Sequence, residues 1–198
     1  MEYIMNKVQA EYGFSDYQIK LIRFSLTGLF YDASKTLIFF LYFHAAGRLP
    51  EFLFAVVPLI LLRTRTGGIH FRKYWSCFLF SFAYLYLCIN VLPVILTIHP
   101  LVIYPVLLLC AVTDFLIGPA SLKEKPSVQD AYYKDLQKTT TKKARIQSFQ
   151  VVFLIAVLIF IFPEQPCLIV SFWTVVLHTI QLSVIKLMKE VKCREKVA

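Results

Sequence analysis

The stretch VVFLIAVLIFIF at 151–162 carries no charge, and comparable apolar runs recur through most of the chain. Runs approaching or exceeding ~18 apolar residues read as membrane spans. Composition agrees: 58% of the 198 residues are hydrophobic and only 17% are charged, whereas soluble domains are about half apolar and a quarter charged. A water-soluble globular domain is therefore set aside. The expected fold is all-α, a polytopic integral membrane helical bundle of about six transmembrane helices at roughly 25–46, 50–62, 75–98, 101–118, 147–162 and 166–188. The run 50–62 covers only ~20 Å at ~1.5 Å per residue, against a ~30 Å hydrocarbon core. It must extend into its flanks, thin the bilayer or sit within the bundle.

Residues 1–24 mix Glu2, Lys7, Glu11, Asp16, Lys20 and Arg23 with apolar positions. They are expected to form an amphipathic segment on the membrane surface instead of a cleavable signal. The transmembrane domain then covers 25–188, with a basic loop at 121–146 and a tail at 189–198. Lys and Arg mark the cytoplasmic side. Basic connections (63–73, 121–146 and the C-terminal end) alternate with connections poor in Lys and Arg (47–49, 99–100 and 163–165). Six spans with both termini in the cytoplasm produce that alternation. The net charge of +9 is accounted for by this surface, as an anchor for anionic headgroups or a dock for an acidic peptide, so no nucleic acid partner is expected.

Chemistry concentrates in RTRTGGIHFRKYWSC, residues 63–77. Gly67 and Gly68 permit a turn or unwound stretch. On one helix His70 and Cys77 would lie ~10 Å apart along the axis, too far for an imidazole to take a thiol proton. A productive pair needs His70 on a loop that folds back, with Cys77 in the first turn of the third span. A helix N-terminus and nearby Arg63, Arg65, Arg72 and Lys73 favour the nucleophilic thiolate, although those cations also serve as topological anchors. Asp114 is a candidate third member, favoured by depth over Glu51. Asp32 and Lys35 are expected to face the bundle interior, paired on one helix face. His44 and His99 fall in outer turns, and His178 reads as a packing residue. The five cysteines are scattered and form no CxxC pair, so neither a disulfide framework nor a metal site is expected.

These residues resemble the accessory gene regulator B (AgrB) peptidases, integral-membrane cysteine endopeptidases of Gram-positive quorum-sensing systems. The resemblance rests on Arg63 or Arg65, Gly68, His70 and Cys77. A second element, Ala111-Val112-Thr113-Asp114 followed by Pro119, keeps the family's Asp-to-Pro spacing but has Val112 where the family has proline. The resemblance implies removal of the C-terminal tail of an AgrD-like propeptide, with Cys77 as nucleophile and His70 as base. The resulting thioester acyl-enzyme would be resolved by the peptide's own thiol or hydroxyl to a thiolactone or lactone. It further implies no cofactor, a homodimer in the bacterial cell membrane, and an acidic peptide tail met by Arg72, Lys73, Lys142, Lys143 and Arg145. Gly67, Gly68, Arg63 and Arg65 would shape the site. The alternatives are a transporter for the peptide, thinly supported by Asp32, Lys35, Asn90 and Gln181, and a non-catalytic scaffold.

Overall fold

The computed structural model describes residues 16–66, 73–96, 99–118 and 131–195. Its elements are α1 (Asp16–Ala45), α2 (Leu49–Thr66), α3 (Tyr74–Tyr86), a π-helical turn (Leu87–Val91), α4 (Leu92–Ile95), α5 (Pro100–Ile117), α6 (Ala131–Ile161) and α7 (Pro166–Glu195). They divide into two compact units, residues 1–47 and 48–198.

The first unit contains α1. Lys35 Nζ lies 2.9 Å from Asp32 Oδ1, one turn earlier, so the pairing expected on one helix face is present. Lys35 is buried but Asp32 is exposed, which corrects the expectation that both face inward. Gly47, at φ 69°, closes the helix by donating its N–H to the His44 carbonyl.

In the second unit the apolar core joins α2, α5, α6 and α7. Ile103, Leu107, Cys110 and Ala111 line one stripe of α5, facing Val151, Val152, Ile155 and Ile159 of α6 and Leu168, Phe172, Trp173 and Val175 of α7. Spacings of three and four residues put each set on one helical face. Hydrogen bonds fix the directions. Ser171 Oγ donates to the Phe54 carbonyl at 2.6 Å, Arg63 Nη2 to Gln181 Oε1 at 3.3 Å, and Thr66 Oγ1 sits 2.9 Å from His178 Nε2. Phe54 near the start of α2 meets Ser171 near the start of α7, and Arg63 and Thr66 near its end meet Gln181 and His178 further along, so α2 and α7 run parallel. Gln147 Nε2 of α6 donates to the Leu61 carbonyl at 2.8 Å, and Tyr84 Oη of α3 to the Thr174 carbonyl at 2.7 Å.

The expected span count is overturned. Among the described residues three helical stretches, not six, are long and apolar enough to cross a membrane: Tyr74–Ile95, Thr141–Ile161 and Pro166–Met188, with mean hydropathies of 2.0, 2.1 and 1.9. The reasons are physical. Asp32, Lys35 and their polar neighbours dilute α1; α2 carries Glu51, Arg63 and Arg65 within 18 residues; the apolar part of α5, Leu101–Ile117, is too short. The basic segment expected as a loop to residue 146 is helical from Ala131 onward, because residues 131–146 contain neither Gly nor Pro to break it. Lys142, Lys143 and Arg145 thus stand on α6 itself.

Two breaks have clear causes. Pro93 has no N–H for the Ile89 carbonyl, and the chain answers with a π turn in which the Leu92 N–H reaches the Leu87 carbonyl. At the end of α5, Gly118 adopts φ 69°, ψ −169° and donates its N–H to the Asp114 carbonyl, a backbone region essentially reserved for glycine. Gly118→Ala is expected to lower stability by ~1–3 kcal/mol, whereas Gly28→Ala, with open space around the new methyl, is expected to cost nothing. Equilibrium unfolding of both variants in mixed micelles checks the contrast; equal effects would show that the Gly118 conformation is not required.

Candidate functional site

Cys77 lies in the first turn of α3. Lys73, extended at φ −94°, ψ 134°, caps that helix without a side-chain hydrogen bond, and its carbonyl receives the Cys77 N–H at 3.2 Å. Cys77 is half-buried and sits in the N-terminal turn of an apolar helix. Tyr74, Trp75 and Phe78 surround the same turn, with ring centroids 5.7, 5.9 and 6.2 Å apart. Trp75 is exposed; aromatic side chains of this kind mark the boundary between membrane and water. His70, Gly67, Gly68 and Arg72 lie outside the described residues, as does the side chain of Arg65.

The end of α2 leads directly to that segment. Arg63 is turned into the bundle: Nη2 bonds Gln181, and its Cζ lies 5.7 Å from the centroid of the Tyr84 ring. One turn further, Thr66 is buried and donates its single hydroxyl proton to the Leu62 carbonyl at 2.6 Å. Its oxygen also lies 2.9 Å from His178 Nε2, a hydrogen bond across the helix pair. No hydrogen-bond partner for Nδ1 exists among the described residues. His178 and Gln181 are three apart on one face of α7, as are Arg63 and Thr66 on α2, so two polar rungs cross the helix pair.

Asp114 is almost fully buried and its Oδ2 accepts the Ser148 hydroxyl proton at 2.9 Å. The structure thus engages this carboxylate in the seam between α5 and α6. Lys142 and Lys143 are exposed, while the Arg145 guanidinium lies over the Phe115 ring at 5.1 Å. Cys88 and Cys110 are buried in apolar packing. Among the described residues no three His, Cys, Asp or Glu side chains group as metal ligands.

Sequence reasoning placed Cys77 in the first turn of its helix but missed the polar rungs. It assigned His178 to packing; its burial agrees, yet the side chain also carries a cross-helix hydrogen bond. The available signal was the i, i+3 spacing of His178 and Gln181 in an apolar run, since polar groups in such a run face inward. Arg63 and Thr66 share that spacing on α2, but at the end of an apolar run, where polar residues also face water.

Apolar helices of spanning length joined to charged helix ends define a multi-pass helical membrane protein. Within that class, the chain matches the model of the accessory gene regulator B (AgrB) family over residues 1–182, and it belongs to that family. No curated protein and no solved structure matches it.

The Thr66–His178 bond is open to a direct energetic test. Thr66→Val and His178→Phe, singly and together, are expected to show a coupling of ~0.5–2 kcal/mol in a double-mutant cycle, the range of polar contacts between membrane helices. Strictly additive unfolding energies would mean that the two side chains do not support each other.

Proposed function

We propose that this protein is a membrane-embedded cysteine endopeptidase that trims the C-terminal tail of an AgrD-like propeptide and promotes its cyclisation. The observation that carries this reading is the half-buried thiol of Cys77 in the N-terminal turn of an apolar helix, in a chain of the AgrB family. His70 takes the thiol proton and the Cys77 sulfur attacks the scissile carbonyl carbon. The tetrahedral intermediate collapses with cleavage of the C–N bond; His70 returns the proton to the departing amine, and a thioester remains on Cys77. The propeptide's own thiol or hydroxyl then attacks that thioester, closing the ring and releasing the Cys77 thiol. Exchange between two thioesters is nearly balanced, so the protein's contribution is to hold the peptide nucleophile close and exclude water.

Gly67 and Gly68 let the chain return His70 toward Cys77, and Arg63, tied to Gln181, steadies the end of α2 from which that segment departs. Arg65, Arg72 and Lys73 raise the local positive potential. Arg72, Lys73, Lys142, Lys143 and Arg145 receive an acidic propeptide tail, on the side where both termini lie in the cytoplasm of a bacterial cell. Asp114 is the candidate orienting carboxylate, and the working unit is a homodimer.

Intact mass spectrometry of the full chain in nanodiscs, incubated with candidate propeptides, tests the mechanism. Wild type is expected to form a covalent adduct on Cys77 with release of the tail, and both Cys77→Ala and His70→Ala are expected to show neither. An orienting role for Asp114 predicts that Asp114→Asn lowers kcat by ~10²-fold or more, by analogy with loss of the carboxylate in a catalytic triad. Tail release that survives Cys77→Ala would remove the thiol from the chemistry. Export of uncut peptide would instead place transport first.

A further inference from the structure

A groove of about 350 Å3 follows the seam between α5 and α6. Leu108, Val112, Phe115 and Leu116 form one wall; Ile146 and Phe149 form the other. From Leu116 to Leu108 it descends ~12 Å at 1.5 Å per residue, most of the ~15 Å that one leaflet contributes to a ~30 Å core.

Charge gathers at one end. Arg145 lines the groove and stands near the start of the apolar span Thr141–Ile161, at the level where a helix leaves the headgroups. It is half-buried, its Nε is enclosed without a hydrogen-bond partner among the described residues, and its guanidinium rests on Phe115. A side chain at Gly118 would come within 3.7 Å of that Nε, so glycine leaves this flank of the cation open. Lys142, one turn earlier on α6, is exposed. Neither cation has a carboxylate partner among the described residues.

We infer that this seam is a binding site for an anionic phospholipid, with one acyl chain in the groove and the phosphate on Arg145 and Lys142. Charge complementarity selects the headgroup. The walls select the chain: apart from Arg145 they offer no side-chain donor or acceptor, so a peptide main chain laid there would bury unpaired amides at a cost that an acyl chain avoids. The site is read without any propeptide; Arg145 and Lys142 are also among the cations proposed to receive the acidic tail, so lipid phosphate and peptide carboxylates would compete for them.

The test is native mass spectrometry of the full chain released from a mild detergent, titrated with dioleoylphosphatidylglycerol or dioleoylphosphatidylcholine. The anionic lipid is expected to bind more tightly. Arg145→Gln should weaken it roughly fivefold, and the double variant with Lys142→Gln roughly thirtyfold, as expected for about one surface cation's worth of attraction each. Val112→Trp, a substitution at an exposed position that fills the groove, should abolish the preference without touching the charge, and dihexanoylphosphatidylglycerol should compete poorly because its chains are too short to occupy the seam. Lys186→Gln, which removes an exposed cation from α7, should leave binding unchanged. Equal binding of the two dioleoyl lipids, an unchanged affinity in Val112→Trp, or full competition by the short-chain lipid would each overturn the site. So would loss of a dimer in Val112→Trp with no lipid preference in wild type, which would assign the groove to a second copy of the chain.

Discussion

Hydrogen-bond satisfaction inside an apolar bundle is the constraint on which the second unit depends. A polar side chain carried into lipid by its own helix must find a partner on another helix, because water is not available to it. Thr66 with His178, Arg63 with Gln181, Asp114 with Ser148 and Gln147 with the Leu61 carbonyl are four such solutions. Apolar packing alone tolerates sliding and rotation, whereas these pairs do not. They set the register of α2 against α7, α5 against α6, and α6 against α2.

The registers matter because the pairs sit near the ends of α2 and α5, and Arg63 also meets Tyr84 of α3. A terminus would ordinarily fray; here the last turn of α2 is pinned through Arg63 and Thr66, and the last turns of α5 through Asp114. Cys77 stands on α3, the next helix along the chain. Tyr84, seven residues further along α3, binds the Thr174 carbonyl and fixes the rotation of that helix, and with it the direction in which the Cys77 turn faces.

Much of this was legible in the sequence, and the gaps have physical causes. Periodic apolar residues gave the helices, and the shift from RTRTGG to YWSCFLF gave the turn that carries Cys77. Apolar runs taken without their full helical context overstate the number of spans. Glu51 lies inside the run 50–62 and Arg63 and Arg65 extend the same helix, while Asp32 and Lys35 interrupt the run before it. Charge alone suggests a loop at 131–146, although a charged segment without Gly or Pro continues a helix readily. His178 shows the deeper limit. Its burial follows from its neighbours along the chain, but its hydrogen-bond partner is Thr66, 112 positions away, a relation that exists only in three dimensions.

The π turn at Leu87–Val91 has a mechanical meaning. One additional residue in a single turn advances the helical phase by ~100°, so Tyr84, Leu85, Cys88 and Ile89 keep a buried stripe while Val94 and Ile95 beyond it are exposed. The segment bearing Cys77 and Tyr84 is thereby uncoupled from the phase of the segment that follows Pro93. Changes in length or twist near Leu96 are absorbed at the bulge before they reach Tyr84, which leaves the far end of this span free to vary while the thiol keeps its bearing.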